Sequence, residues 1–351
     1  MARKTNRVLQ ATQEDIKMIH EDNKRLLSDF LLYYQATDHA IKSCIVTESN
    51  LNIFFVWNMK YNKNKVFPLI KRRDYLAYQS YLLSLDLSPA RIRALKSSIS
   101  SLSIYCEEMV LEELSKYDPD YELWQGWTNC INKIKSPAIA PTREKSVFED
   151  EDIQKLLDTL VEKKKYQQAC ALALAWASGS RKAEIVQFKV EDLTDETLQF
   201  GGSMWLTKNK IRCKGQGRMG KQLHRYVLVS KFKKYLDLWL ERRAELGIDS
   251  EWLFVVKSGD NWEQAKDTTL NSYARTFTAM LNKSFYFHSM RHQFVTELIA
   301  QNVPNAVVVE IVQWSSDLCH IYNDKGGSAM IGKYFNSNGI VKQEEKSLSD
   351  L

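Results

Sequence analysis

The chain is poor in proline, has scattered cysteines, and lacks any long apolar run. Its 351 residues include six prolines, and two of these, Pro137 and Pro141, fall within five residues. The six cysteines are Cys44, Cys106, Cys130, Cys170, Cys213 and Cys319, and no two make a C-x-x-C pair. Most lie in apolar stretches such as Ala169-Cys170-Ala171-Leu172. This pattern argues against a disulfide scaffold or a zinc site and for free, buried thiols in a reducing compartment. No stretch approaches the ~18 apolar residues of a membrane span, so no membrane partner is expected. Met1-Ala2-Arg3-Lys4-Thr5-Asn6-Arg7 is basic, but no apolar run follows it as in a secretory leader. Internal repeats and low-complexity tracts are also lacking. The expected setting is cytoplasmic, with a nuclear one left open by these features.

The length suits two domains better than one. An apolar fraction of 44% is enough for real cores, and a charged fraction of 26% is ordinary for a globular protein. The net charge of +6 fits a nucleic-acid partner, and fits an ordinary mildly basic protein equally well.

The N-terminal part reads as helical. Thr12 caps a helix start with Glu14 and Asp15 in its first turn, and the periodicity runs on through Leu26, Leu27, Phe30 and Leu31. Further helices are expected over 39–58 and 72–85. Ser88 caps the next, with Pro89 at its first position and Ile92, Leu95, Ile99 and Leu102 on one face. Its other face carries Arg91, Arg93 and Lys96 among small hydroxyl residues, which would let a helix approach a phosphate backbone or simply face solvent. A fifth helix is predicted over 120–134. The proline-bearing segment after Lys135 reads as an extended linker. Beyond it the pattern is mixed. Helices are predicted over 150–163, 167–178, 231–245, 267–281, 288–300 and 305–313, and strands near 197–200, 203–208, 223–229 and 252–256. The expected fold class is mostly α with a small antiparallel β-sheet. Its expected parts are a loose segment 1–20, a helical domain 21–135, a linker 136–146, a mixed α/β domain 147–335 and a tail 336–351.

Three segments and two later aromatic residues carry chemistry. In Ser178-Gly179-Ser180-Arg181-Lys182-Ala183-Glu184, the glycine ends one helix and Arg181 opens the next from a rigid corner. Cys213-Lys214-Gly215-Gln216-Gly217-Arg218-Met219-Gly220-Lys221 contains a literal G-x-G-x-x-G. A dinucleotide-binding fingerprint must open a helix, whereas here a strand follows, so this is a cation-rich hairpin turn. His288-Ser289-Met290-Arg291 puts an imidazole and a guanidinium on one helix face. Trp314 and Tyr322 follow. Arginine forks match phosphate oxygens, and a phenol can attack phosphorus and hold the product covalently.

In this order the segments resemble the tyrosine recombinases, the phage integrases and their relatives. The family's T-G-x-R-x-x-E segment matches with Ser178 in place of threonine, and the H-x-x-R-H motif matches at His288, Arg291 and His292. The resemblance is specific over about residues 170–335 and looser over the N-terminal half, which is similar to the family's core-binding domain. It implies that Arg181 and Arg291 clamp the scissile phosphate and that Glu184 orients Arg181. Lys214 would be the general acid for the leaving 5′ oxygen, with Lys210 and Lys221 as alternatives touching DNA. His288 would be a proton acceptor or hydrogen-bond donor at the phosphate, and Trp314 would stand where many members have histidine. Tyr322 would be the nucleophile. It lies eight residues after Trp314, one short of the common spacing, and Tyr334, twenty after, is the alternative. The implied activity is DNA strand cleavage and rejoining through a 3′-phosphotyrosyl intermediate, without metal or cofactor. The implied partners are double-stranded DNA and a homo-tetramer on synapsed duplexes, and a phage or bacterial origin is expected. Two other readings stay open: a type IB topoisomerase or telomere resolvase, and a non-catalytic DNA-binding protein with this fold.

Overall fold

The computed structural model describes residues 10–138, 148–215, 217, 220–314 and the short pieces 335–336 and 339–340. It divides into two compact units, one of residues 10–138 together with Gly215 and Gly217, the other of residues 148–214 and from 220 onward.

The first unit is helical. Thr12 caps α1 (Gln13–Lys17), its side chain accepting from the Asp15 N–H at 3.1 Å. The predicted continuous periodicity is broken there. His20 caps a separate helix, α2 (Glu21–Ala36), through a bond from the Asp22 N–H to Nδ1 at 3.2 Å. Ile19 between the two helices is buried and Asp15 pairs with Lys60 at 2.6 Å, so packed structure begins before residue 21. Then come α3 (Ile41–Tyr61), α4 (Arg72–Ser84) and α5 (Pro89–Tyr105). Phe30, Leu51, Phe54, Phe67, Leu95 and Leu102 lie in their shared core. The predicted helix over 120–134 is not formed as one element. Only α6 (Tyr121–Trp124) is α-helical, because Gly126 takes φ +71° and turns the chain; Ile131–Lys133 forms a single 3₁₀ turn.

The second unit is organised around a helix buried over its last ten residues. After α7 (Asp150–Glu162), the helix α8 (Tyr166–Ser178) has every residue from Ala169 to Ser178 buried. Such a helix carries no polar stripe, and its alanines let neighbours approach closely. Short helix α9 (Lys182–Ile185) follows. Strands β1 (Leu198–Gln199), β2 (Met204–Leu206) and β5 (Tyr226–Leu228) form an antiparallel sheet in the order β1-β2-β5. A hairpin of β3 (Ile211–Cys213) and β4 (Lys221–Leu223) intervenes, with Cys213 opposite Lys221. Helix α10 (Val229–Glu245) packs on α8, and β6 (Val255–Ser258) and β7 (Asn261–Gln264) form a second hairpin. Helices α11 (Asp267–Leu281), α12 (Phe287–Ala300) and α13 (Asn305–Val312) complete the unit. A two-residue pairing joins β8 (Phe335–Asn336) and β9 (Gly339–Ile340). The fold class is thus mostly α with small antiparallel sheets, as the sequence indicates. Among the described residues no helix is long and apolar enough to cross a membrane. Cys44, Cys106, Cys170 and Cys213 are buried free thiols, Cys130 is half-buried, and Cys319 lies outside the described residues.

Candidate active site

The corner between α8 and α9 is the base of the site. Gly179 caps α8 at φ +57°, and a Cβ there would come within 2.7 Å of Phe294 on α12. Glycine is therefore required twice, by conformation and by space. Its carbonyl accepts from Arg291 Nη1 at 2.8 Å, which ties α12 to this corner. Arg181 caps α9, and Glu184, one turn on, receives the Arg181 backbone N–H at 2.9 Å and its Nη1 at 2.9 Å. The Arg181 side chain keeps about a third of its surface open, whereas Glu184 is 1% exposed. Burial alone would raise the Glu184 pKa, but Arg225 and Arg181 outweigh it and hold the carboxyl below its usual range.

Arg291 is fully buried. Besides Gly179 it donates through Nη2 to the Val312 carbonyl at 3.2 Å, and its guanidinium lies 5.6 Å from the Trp314 ring centroid. These contacts fix the plane of the fork. His288 stands one turn earlier on α12, its ring 5.1 Å from that of His292. Part of its imidazole meets solvent and part is desolvated. That desolvation, with the neighbouring His292 ring and the charges of Arg291 and Arg181, lowers its pKa to about 4. His288 is therefore neutral at physiological pH in the free protein. Trp314 is half-buried just past α13, its backbone N–H bonded to the Val309 carbonyl at 3.0 Å.

The structure thus brings Arg181, Glu184, His288, Arg291 and Trp314 to one region. Lys214 directly follows β3 and is exposed, as are Lys210 and Lys221. Gln187, just past α9, holds this hairpin through two bonds to the Arg212 backbone, each 3.0 Å. Tyr322 and Tyr334 lie outside the described residues. In the first unit, the polar face of α5 meets other parts of its own chain. Arg91 donates to Asn50 at 2.8 Å, Arg93 to the Pro137 carbonyl at 3.1 Å, and Lys96 to the Ile134 carbonyl. Desolvation lowers the Lys96 pKa. Arg93 and Lys96 brace residues 134–137, while Arg91 ties α5 to α3, an arrangement that the helix pattern alone does not reveal.

One residue at the site escaped the sequence reading. Arg225 is 1% exposed and reaches Glu184, Ser180 and Val312. Its signal was strand alternation, which puts it on the same side as buried Val227.

Comparison with known proteins gives the class. A family model described as the phage integrase family matches residues 146–325. The SPbeta prophage-derived recombinase-like protein YomM of Bacillus subtilis (strain 168) is 28% identical over 292 residues, covering 83% of this chain and 82% of YomM. Tyrosine recombinase XerA of Pyrococcus furiosus is 24% identical over 230 residues, covering 65% and 70%. The crystal structure of the XerH site-specific recombinase on a palindromic difH substrate, in a post-cleavage complex, superposes with a TM-score of 0.62 at 16% identity, over 83% of this chain and 78% of XerH. Fold and site together define a tyrosine recombinase, an enzyme that breaks and rejoins DNA strands. The chain belongs to the phage integrase family.

Proposed function

We propose that this protein is a site-specific recombinase of the integration or excision type, acting through a 3′-phosphotyrosyl intermediate. The observation that carries the proposal is the joint anchoring of Arg181 and Arg291 on the Gly179 corner, with His288 and Trp314 beside them. In this reading the Tyr322 oxygen attacks the scissile phosphorus and the bond to the 5′ oxygen breaks. Lys214 gives its proton to the departing oxygen. Arg181 and Arg291 offset charge building on the non-bridging oxygens, the largest expected contribution. Neutral His288 accepts the phenol proton, and a bound phosphodiester anion raises its basicity toward that task. The 5′ hydroxyl of a partner strand then attacks the phosphotyrosine, restoring the phosphodiester and freeing the tyrosine. No metal or cofactor is part of the proposal.

Double-stranded DNA is the proposed partner. The palindromic substrate of XerH supports paired protomers on symmetric half-sites, and two such pairs on two duplexes would make the homo-tetramer. Residues 21–135 would clamp the duplex together with residues 147–335, across the linker 136–146, and the tail 336–351 would be exchanged between subunits. Lys210 and Lys221 would contact the backbone near Lys214, and Arg91, Arg93 and Lys96 would contribute on α5. A cytoplasmic protein of phage or bacterial origin fits the prophage-derived relative. The test is recombination between two labelled duplexes carrying the element's own junction sequence. Exchanged products support the proposal; relaxation of a single supercoiled circle with no exchange would move the reading to a topoisomerase.

A further inference from the structure

We infer that Arg225 is a positioning residue of this site, one buried guanidinium that sets both the Arg181 side and the Trp314 side. The inference rests on the recombinase reading above. Arg225 sits between β4 and β5, its N–H bonded to Thr207 Oγ1 at 2.9 Å and its carbonyl accepting the Thr207 N–H at 3.0 Å. With the backbone held at both ends, the side chain reaches in two directions.

Toward α9, Nη2 stands 3.5 Å from Glu184 Oε2 and Nε donates to Ser180 Oγ at 3.4 Å. Burial works to neutralise Glu184; the Arg225 charge is the largest single influence against it, joined by the hydrogen bonds and charge of Arg181. An ionised Glu184 binds Arg181 through charge-assisted bonds; a neutral one holds it more weakly. Arg225 therefore acts on Arg181 through the carboxylate between them. Toward α13, Nη1 donates to the Val312 carbonyl at 3.3 Å and lies 3.5 Å from Gln313 Oε1. The same carbonyl accepts from Arg291, so two guanidinium groups converge on the negative end of α13. Gln313 follows at φ +56°, a conformation disfavoured for any residue with a Cβ, and its side-chain oxygen is turned toward Arg225. Trp314 comes next. A fork with several donors can serve both directions at once; a lysine, with one compact charge, cannot.

The test uses the full chain with thymidine 3′-(4-nitrophenyl phosphate), a probe independent of DNA sequence. The tyrosine oxygen bonds to phosphorus, the bond to 4-nitrophenolate breaks and the phenol proton passes to His288. Added glycerol, standing in for the 5′ hydroxyl, then attacks the phosphotyrosine, its oxygen bonding to phosphorus while the tyrosine leaves and recovers its proton, so that coloured product accumulates over turnovers. In parallel, the Glu184 carboxyl is titrated by carbon-13 NMR. For Arg225→Met, kcat falls by about 100-fold, as for a displaced reacting group. KM moves less than about threefold, because binding contacts are kept. The Glu184 midpoint rises. Arg225→Lys keeps Glu184 ionised but, lacking the fork, still loses roughly tenfold in kcat. If Arg225→Met fails to fold, the lysine variant decides, and a wild-type rate there overturns the inference. An unchanged kcat or an unmoved Glu184 midpoint in a folded Arg225→Met also overturns it. If the wild-type chain itself releases no nitrophenolate, the recombinase reading fails, and the Glu184 titration alone then judges whether Arg225 holds that carboxylate.

Discussion

Glu184 and His288 sit in the same region yet are perturbed for different reasons. Glu184 is kept ionised by Arg225 and Arg181 against its own burial. Glu184→Gln removes that charge while preserving shape, and Arg181 keeps only neutral acceptors. Strand cleavage should fall by roughly 10- to 100-fold through misplacement of Arg181. DNA affinity, measured by mobility shift, should stay near wild type; a parallel loss of affinity would count against this role. His288 has a pKa of about 4, below the ordinary value of 6.5. As pH falls, the unfolded chain takes up this proton first, so His288 costs the fold stability between about pH 6.5 and 4 and nothing above that window. A proton-NMR midpoint near 4 is expected for His288 in the free protein, and a midpoint at or above 6.5 would refute the electrostatics described here. Arg181, Glu184, His288 and Arg291 stand out in the sequence through their resemblance to the family's motifs, whose short spacing puts each pair on one turn or one helix face. Arg225 does not, because its partners lie 41 and 87 positions away and an arginine at a strand end normally reads as solvent-facing.

At the scale of elements, the Gly179 corner is the most constrained feature. Gly179→Ala must place a Cβ at φ +57° and against the Phe294 ring. A loss of about 2–4 kcal/mol is expected, the sum of left-handed strain and overpacking, read from denaturant unfolding. A loss under about 0.5 kcal/mol, the size of a surface substitution, would show that the corner relaxes freely. The β3–β4 hairpin presents exposed Lys210, Lys214 and Lys221. Substituting alanine for each in turn should single out Lys214 with a cleavage defect of about 100-fold or more, the range for a lost general acid. A defect confined to Lys210 or Lys221 would transfer the role. Long periodic helices such as α7, α10 and α11 were read nearly to the residue, since a 3.6 period over three or more turns is unambiguous. The segment 120–134 misled because apolar residues recur there, while Gly126 breaks the ladder that they suggest. Strand β7 was missed because Asn261-Trp262-Glu263-Gln264 is mostly polar; its pairing with β6 across the two-residue turn Gly259-Asp260 makes it a strand.

At the scale of the molecule, each compact unit has a main core of its own, which implies two folding units. One gathers Phe30, Phe54, Leu95 and Leu102, the other the buried helix α8 with Phe188, Phe232 and Phe254. Fragments 10–138 and 148–351 should each unfold cooperatively on their own, as followed by circular dichroism; a fragment with no transition would show that its core is completed by the other half. The boundary was visible in the sequence from its prolines and from the change to mixed periodicity. The bracing of residues 134–137 by Arg93 and Lys96 was not, because it depends on tertiary contact. The central claim is covalent chemistry at one tyrosine. The most direct measurement incubates the full chain with DNA carrying its own junction sequence, denatures, digests, and locates the nucleotide-bearing peptide by mass spectrometry, with Tyr322→Phe and Tyr334→Phe in parallel. The account predicts an adduct on Tyr322 that vanishes only in Tyr322→Phe. An adduct on Tyr334 would contradict the nucleophile assignment, and no adduct on the native junction would contradict the account as a whole.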